Sequence, residues 1–214
     1  MILGFAGKAA SGKTTAARHM ATLLSGEVQI IPMALLLREE VENFLRDSGS
    51  QEYVPLVYGC QEDKVRTFYV DSERARTICP RWDQFIAAHR DIQDLKKLTT
   101  VTVRRLLQWW GTEYRRAQDA DYWTKAWTQK VAQYDLDRTH ILVDDIRFMN
   151  ELEALRTQGG RIVKIVRPGF NGAGDHASET SLDDFRGWDH IIQNDAGLQA
   201  FLDKVAALTS QLTE

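Results

Sequence analysis

The segment Gly7-Lys8-Ala9-Ala10-Ser11-Gly12-Lys13-Thr14 narrows the possible folds of this chain more than any other. It fits G-x-x-x-x-G-K-[S/T] at every fixed position. An apolar run, Ile2-Leu3-Gly4-Phe5-Ala6, precedes it, and Thr14 to Leu24 has helix-forming composition. Strand, glycine-rich turn and helix open an α/β unit. In such a unit the loop N–H groups turn inward around phosphate oxygens and the helix N-terminus adds its positive dipole end. Gly7, Ser11, Gly12, Lys13, Thr14 and Thr15 are then the expected phosphate-binding residues, with Lys13 between the β- and γ-phosphates of ATP and the Thr14 hydroxyl on Mg²⁺. A turn that binds nothing is the alternative. The fixed positions arise by chance in roughly one chain in a hundred of this length, and fewer once a strand before and a helix after are required.

The rest of the chain continues the alternation. Val28 to Ile31 is a second short apolar run, and Ala34 to Leu45 carries leucines and acidic residues at helical spacing. Further strands are expected at 140–145, 161–166 and 188–192, and helices at 150–158 and 198–212, as a parallel sheet covered on both faces requires. Between 47 and 100 the pattern weakens into an insertion, with helical turns expected around 81–97. Residues 102–131 read as one long helix, or two separated at Gly111. The composition, 43% hydrophobic and 27% charged over 214 residues, suits a single domain with a buried core.

A net charge of −3 excludes the broad basic field that non-specific nucleic-acid binding needs, so no nucleic-acid partner is expected. The apolar N-terminal run is too short for a signal peptide or a membrane span, so no membrane partner is expected either. Cys60 and Cys79 form no CxxC pair and no Cys/His set with metal-ligand spacing, which fits a reducing cytoplasm.

Ile141-Leu142-Val143-Asp144-Asp145-Ile146-Arg147 is an apolar strand ending in two carboxylates, which places them at the ligand-binding edge of an open α/β sheet. Asp144 or Asp145 there can hold hydrated Mg²⁺ or take a proton, and Arg147 can neutralise charge on an acceptor. The plainer alternative makes the aspartates helix caps and pairs Arg147 with Glu151 on the helix surface. In a helix from Arg104 to Arg116, at about 100° per residue, Gln108 and Arg115 lie within about 40° of Arg104. Arg104, Gln108 and Arg115 would then share one face suited to an acceptor's phosphate and base edge, against the plainer reading of an exposed basic face. Trp109, Trp110, Trp123 and Trp127 read as core residues, with Trp123 kept as a stacking candidate. After the strand ending at Val166, the glycine-rich stretch 167–181 reads as a lid-like loop in which Arg167 stabilises the phosphoryl in transfer, and His176 and Glu179 hold the lid or touch the nucleotide.

These residues together resemble the bacteriophage deoxynucleoside monophosphate kinase family, a branch of the P-loop nucleoside monophosphate kinases. The resemblance lies in Gly7 to Thr14, in Arg105-Leu106-Leu107-Gln108 through Gly111-Thr112-Glu113 with Trp123, in Asp145-Ile146-Arg147-Phe148-Met149-Asn150-Glu151, and in Arg167-Pro168-Gly169 with His176-Ala177-Ser178-Glu179. It implies an α/β fold, with a P-loop kinase-type parallel sheet of about five strands flanked by helices. A helical insertion, roughly 47–131, would form the acceptor side of a single domain spanning 1–214. It implies ATP- and Mg²⁺-dependent phosphorylation of a deoxynucleoside monophosphate, homodimers, and a host-cytoplasmic location. Of the two aspartates it favours Asp145, with Lys13, Arg147 and Arg167 catalytic and Arg104, Arg105, Gln108, Arg115, Trp123 and Glu179 on the acceptor. The rivals are a P-loop switch or motor that hydrolyses without an acceptor, and a P-loop kinase for a phosphorylated metabolite. No N-K-x-D guanine motif is present, and Ile146-Arg147, not a catalytic glutamate, follows the strand-end aspartates.

Overall fold

The computed structural model describes residues 1–89, 93–95, 97–169 and 177–213. In chain order the elements are β1 (Ile2–Ala6), α1 (Lys13–Leu23), β2 (Glu27–Ile30), α2 (Leu35–Asp47), α3 (Val54–Tyr58), α4 (Gln61–Lys64), β3 (Thr67–Asp71), α5 (Ser72–Ile78) and α6 (Trp82–Ala88). There follow β4 (Asp94–Leu95), β5 (Leu98–Thr102), α7 (Val103–Trp109), α8 (Tyr122–Val131), β6 (Thr139–Ile146), α9 (Met149–Thr157), β7 (Arg161–Val166), α10 (Ala177–Thr180), β8 (His190–Gln193) and α11 (Leu198–Thr213). They gather into two compact units, one of Met1–Ala34 with Thr124–Glu214 and the other of Leu35–Trp123.

The first unit holds the expected parallel sheet, ordered β2-β6-β1-β7-β8. Every neighbouring pair is parallel, with Leu3 opposite Leu142 on one side of β1 and Arg161 on the other. All five residues of β1 are buried, as a central strand covered on both faces demands. Helix α11 lays Phe201, Val205 and Leu208 into one core with Ala16, Ala17 and Met20 of α1 and Phe5 of β1. The carboxyl ends of β1 and β6 are neighbours, Ala6 pairing with Ile146, so the loop after β1 and the aspartates of β6 reach the same sheet edge.

The second unit has its own aromatic core of Phe44, Trp82, Phe85, Trp109, Trp110 and Trp123. It departs from the expected helical insertion by carrying a three-stranded antiparallel sheet, β3-β5-β4. Phe68 and Val70 on β3, and Thr99 and Val101 on β5, alternate with more exposed positions, a period-2 signal too short to stand out among the surrounding helical turns. The unit also begins at Leu35, so α2 packs with it, and ends at Trp123, so most of α8 belongs to the sheet unit. Of the two readings of 102–131, the break at Gly111 is not the one seen. Instead α7 runs on through a wide turn, Trp110–Arg116, in which Ala117 N–H donates to the Thr112 carbonyl at 3.1 Å, and the break falls after it. Among the described residues no helix is long and apolar enough to cross a membrane.

Candidate active site

The loop between β1 and α1 has the backbone that its glycines foretell. Gly7 sits at φ 147°, and a Cβ there would lie 2.4 Å from the Ile165 carbonyl oxygen; Gly12 sits at φ 109°. Ala10 takes the left-handed φ of 60°, a strained conformation of the kind held at ligand sites. The Lys13 ammonium is folded back onto the loop, donating to the Gly7 and Lys8 carbonyls at 2.7 and 2.8 Å. Burial, and then the neighbouring Arg147 charge, pull its pKa down to about 8 against the opposing carboxylates of Glu179, Asp145 and Asp144. The Ser11 hydroxyl is buried with no hydrogen-bond partner among the described residues.

The two aspartates of β6 have different tasks. The Thr14 hydroxyl donates to Asp144 Oδ2 at 2.6 Å, while the buried Asp144 Oδ1 has no hydrogen-bond partner among the described residues. Both oxygens of Asp145 accept main-chain N–H groups, from Met33 at 2.7 Å and Ala34 at 3.1 Å. Asp145 therefore anchors the turn after β2, and the free carboxylate oxygen beside Thr14 belongs to Asp144. The sequence kept both aspartates as metal candidates and favoured Asp145 for the site; in the fold it is Asp144 that stands beside Thr14. Neither aspartate caps α9. That task falls to Glu151, whose Oε2 accepts the N–H groups of Arg147 at 2.7 Å and Phe148 at 3.1 Å.

The Arg147 guanidinium, relieved of Glu151, turns to α10. It forms a close ion pair with Glu179 and donates to the Ser178 carbonyl at 3.1 Å. The other Glu179 oxygen accepts the N–H of Ala9, inside the phosphate loop, at 3.0 Å. Burial pushes the Glu179 carboxyl up, but the Arg147 charge and hydrogen bond, the Ala9 N–H and Lys13 together hold it below its ordinary value. Lys8 adds a close ion pair with Asp183. Glu179 thus sits on the phosphate loop. Around it lies a cavity of about 300 Å³ whose lining includes Gly7, Lys8, Ser11, Arg147, Lys164 and Arg167. Arg167 is exposed and donates to the Ala10 carbonyl at 3.0 Å, which brings it to the loop. His176 and residues 170–175 of the glycine-rich stretch lie outside the described residues. Sequence reasoning missed Asn194, whose side-chain amide donates to the Ser11 carbonyl at 2.8 Å and braces the loop from the end of β8.

In the second unit, Arg104 donates to Gln61 and Arg115 Nε donates to Glu40 at 2.7 Å. Arg105 lies on α7 with its backbone N–H on the Thr102 hydroxyl, at 3.2 Å, and Gln108 is half-buried. The wide turn from Trp110 shifts the helical phase between Arg104 and Arg115, so their shared face does not follow from regular spacing. Trp123 is 2% exposed and its indole N–H donates to the Gly111 carbonyl at 2.9 Å, so it is a core residue with no ring face free for stacking. Among the described residues no group of three or more His, Cys, Asp or Glu is placed to hold a metal ion.

A sequence profile described as deoxynucleotide monophosphate kinase matches residues 38–205, a span that takes in Arg115, the β6 aspartates, Arg147, Arg167 and Glu179 and begins after the phosphate loop. The deoxynucleotide monophosphate kinase of Escherichia phage RB69 is 31% identical over 108 residues, 50% of this chain and 44% of that protein. That of Enterobacteria phage T4 is 30% identical over 106 residues, 49% of this chain and 44% of that protein. An uncharacterized protein of Ictalurid herpesvirus 1 is 35% identical over 95 residues, 42% of this chain and 41% of that protein. Each match thus spans less than half of the relative's length.

Proposed function

We infer, since this chain belongs to the deoxynucleotide monophosphate kinase family, that it transfers the γ-phosphoryl group of ATP to a deoxynucleoside monophosphate. The bond between the γ-phosphorus and the β,γ-bridging oxygen breaks, a phosphate oxygen of the acceptor bonds to that phosphorus, and ADP and a deoxynucleoside diphosphate leave. The observation that carries this reading is the contact between the Thr14 hydroxyl and the buried Asp144 at the strained phosphate loop, with Asp144 Oδ1 taking no hydrogen bond among the described residues. One hydroxyl and one carboxylate suit Mg²⁺, which keeps most of its shell for water and phosphate oxygens and needs no protein cage. Bound there, Mg²⁺ would neutralise charge on the phosphates.

The chain's own residues supply the remainder by position and charge, which is what phosphoryl transfer chiefly demands. Lys13 exchanges the Gly7 and Lys8 carbonyls for phosphate oxygens. Arg147 and Arg167 stand at the loop to offset charge on the group in transfer. Arg104, Arg105, Gln108 and Arg115 are the acceptor-binding residues in this reading, and Asp144 and Thr14 the metal ligands.

The test is to incubate the protein with Mg²⁺ and γ-labelled ATP, alone and with each deoxynucleoside monophosphate, each ribonucleotide and a panel of phosphorylated metabolites. Label in a deoxynucleoside diphosphate is the expected result. Labelled inorganic phosphate without any acceptor product would point to a switch or motor, and label in a metabolite would overturn the nucleotide assignment.

The Lys13 pKa gives a second prediction. Phosphates bind the charged ammonium, so affinity for ATP should be flat below pH 8 and fall about tenfold per pH unit above it. Titration with a fluorescent ATP analogue between pH 7 and 9.5 checks this. Affinity that holds to pH 9.5 would mean that Lys13 keeps its proton in the free protein.

A further inference from the structure

Glu40, which no sequence motif marks, lies on α2 with a side chain only 14% exposed and accepts three hydrogen bonds within the second unit. Its Oε2 takes the Trp110 indole N–H at 2.8 Å and Arg115 Nε at 2.7 Å, and its Oε1 takes the Tyr122 hydroxyl at 2.6 Å. The Arg115 guanidinium carbon also lies 4.9 Å from the centre of the Tyr114 ring and 5.1 Å from that of Tyr122. The guanidinium is therefore gripped through Nε and fixed against two aromatic rings, while its two terminal amino groups take no hydrogen-bond partner among the described residues. Its side chain keeps 28% exposure. A planar fork held by one edge with the other edge open matches the two-oxygen face of a phosphate monoester. By contrast Arg104 spends a terminal amino group on Gln61.

We propose that Glu40 is a positioning residue that presents Arg115, among the arginines of this unit, to the phosphate of the acceptor nucleotide. This rests on the reading of Arg115 as an acceptor ligand. Glu40 also lowers the local positive charge, so the advantage must come from orientation: a long side chain that would otherwise sample many rotamers is already set when the phosphate arrives. Its replacement by glutamine should preserve that setting. The glutamine carbonyl can accept from Trp110 and Arg115, and its amide can donate to a Tyr122 hydroxyl turned to accept.

The experiment measures KM for acceptor and for ATP, kcat and the thermal midpoint in Glu40→Ala, Glu40→Gln, Arg115→Ala and the Glu40→Ala/Arg115→Ala double variant. The acceptor is whichever deoxynucleoside monophosphate the full chain turns over fastest. Arg115→Ala should raise the acceptor KM about 30-fold or more and Glu40→Ala about tenfold, with Glu40→Gln within about threefold of the parent and KM for ATP unchanged throughout. The double variant should be no worse than Arg115→Ala alone, since both remove one interaction. An unchanged acceptor KM in Glu40→Ala beside a raised one in Arg115→Ala would sink the role of Glu40 alone. An unchanged acceptor KM in Arg115→Ala would sink the acceptor reading of Arg115 and this inference with it. If Glu40→Ala does not fold, Tyr122→Phe, which frees one carboxylate oxygen to swing, should raise the acceptor KM about threefold, and no rise would count against the proposal.

Discussion

Lys13→Met should abolish phosphoryl transfer, by about three orders of magnitude or more, in a protein at least as stable as its parent. The loss follows from removing the one loop ammonium placed to move from the Gly7 and Lys8 carbonyls onto a nucleotide's phosphates. The stability follows from the pKa. In the folded protein Lys13 holds its proton up to about pH 8, against an ordinary value of 10.5, so between those values the folded chain binds fewer protons than the unfolded one. Stability therefore rises with pH across that window, and at pH 7 the buried charge costs about 3 kcal/mol. Methionine fills similar space without the charge. Turnover assays and thermal unfolding on one preparation check both halves, and a midpoint well below that of the parent would show that the two carbonyl contacts outweigh the desolvation.

The paired replacements Asp144→Asn and Asp145→Asn should separate catalysis from folding at adjacent positions. Asp144→Asn should lower turnover about 10²–10³-fold and weaken the Mg²⁺ dependence, with little change in thermal midpoint, because Asp144 Oδ1 takes no hydrogen bond among the described residues. Asp145→Asn should cost about 2–4 kcal/mol of stability, because a buried amide then faces two main-chain donors, Met33 and Ala34, with a single acceptor oxygen. Mg²⁺ titration of activity and chemical denaturation resolve the two effects. The reverse pattern, with Asp145→Asn stable and inactive, would return the metal to Asp145.

The pair also shows where the sequence stops. Two aspartates ending an apolar strand were legible as a site, because the carboxyl edge of a parallel sheet is fixed by the order of strand and helix. Their division of labour was not, because it depends on which one the turn at Met33 and Ala34 reaches, more than a hundred positions away. Similarly, the i,i+4 spacing of Arg147 and Glu151 suggested a surface ion pair. The glutamate caps the main chain instead, and the guanidinium finds Glu179. In the second unit, period-2 runs as brief as 67–71 and 98–102 could not be told from irregular chain until they paired.

By itself, then, the sequence determined the phosphate loop, the parallel strands and the residues at their carboxyl ends, because each rests on contiguous residues whose spacing carries the physics. Glycines set the loop backbone, apolar runs set buried strands, and the lysine and threonine follow at fixed offsets. Only the tertiary structure decided that Asp144 faces Thr14, that Glu179 sits on Ala9, and that Glu40 grips Arg115. Those partners stand 130, 170 and 75 positions apart, and a hydrogen bond at such separation is chosen by packing, which no local spacing encodes.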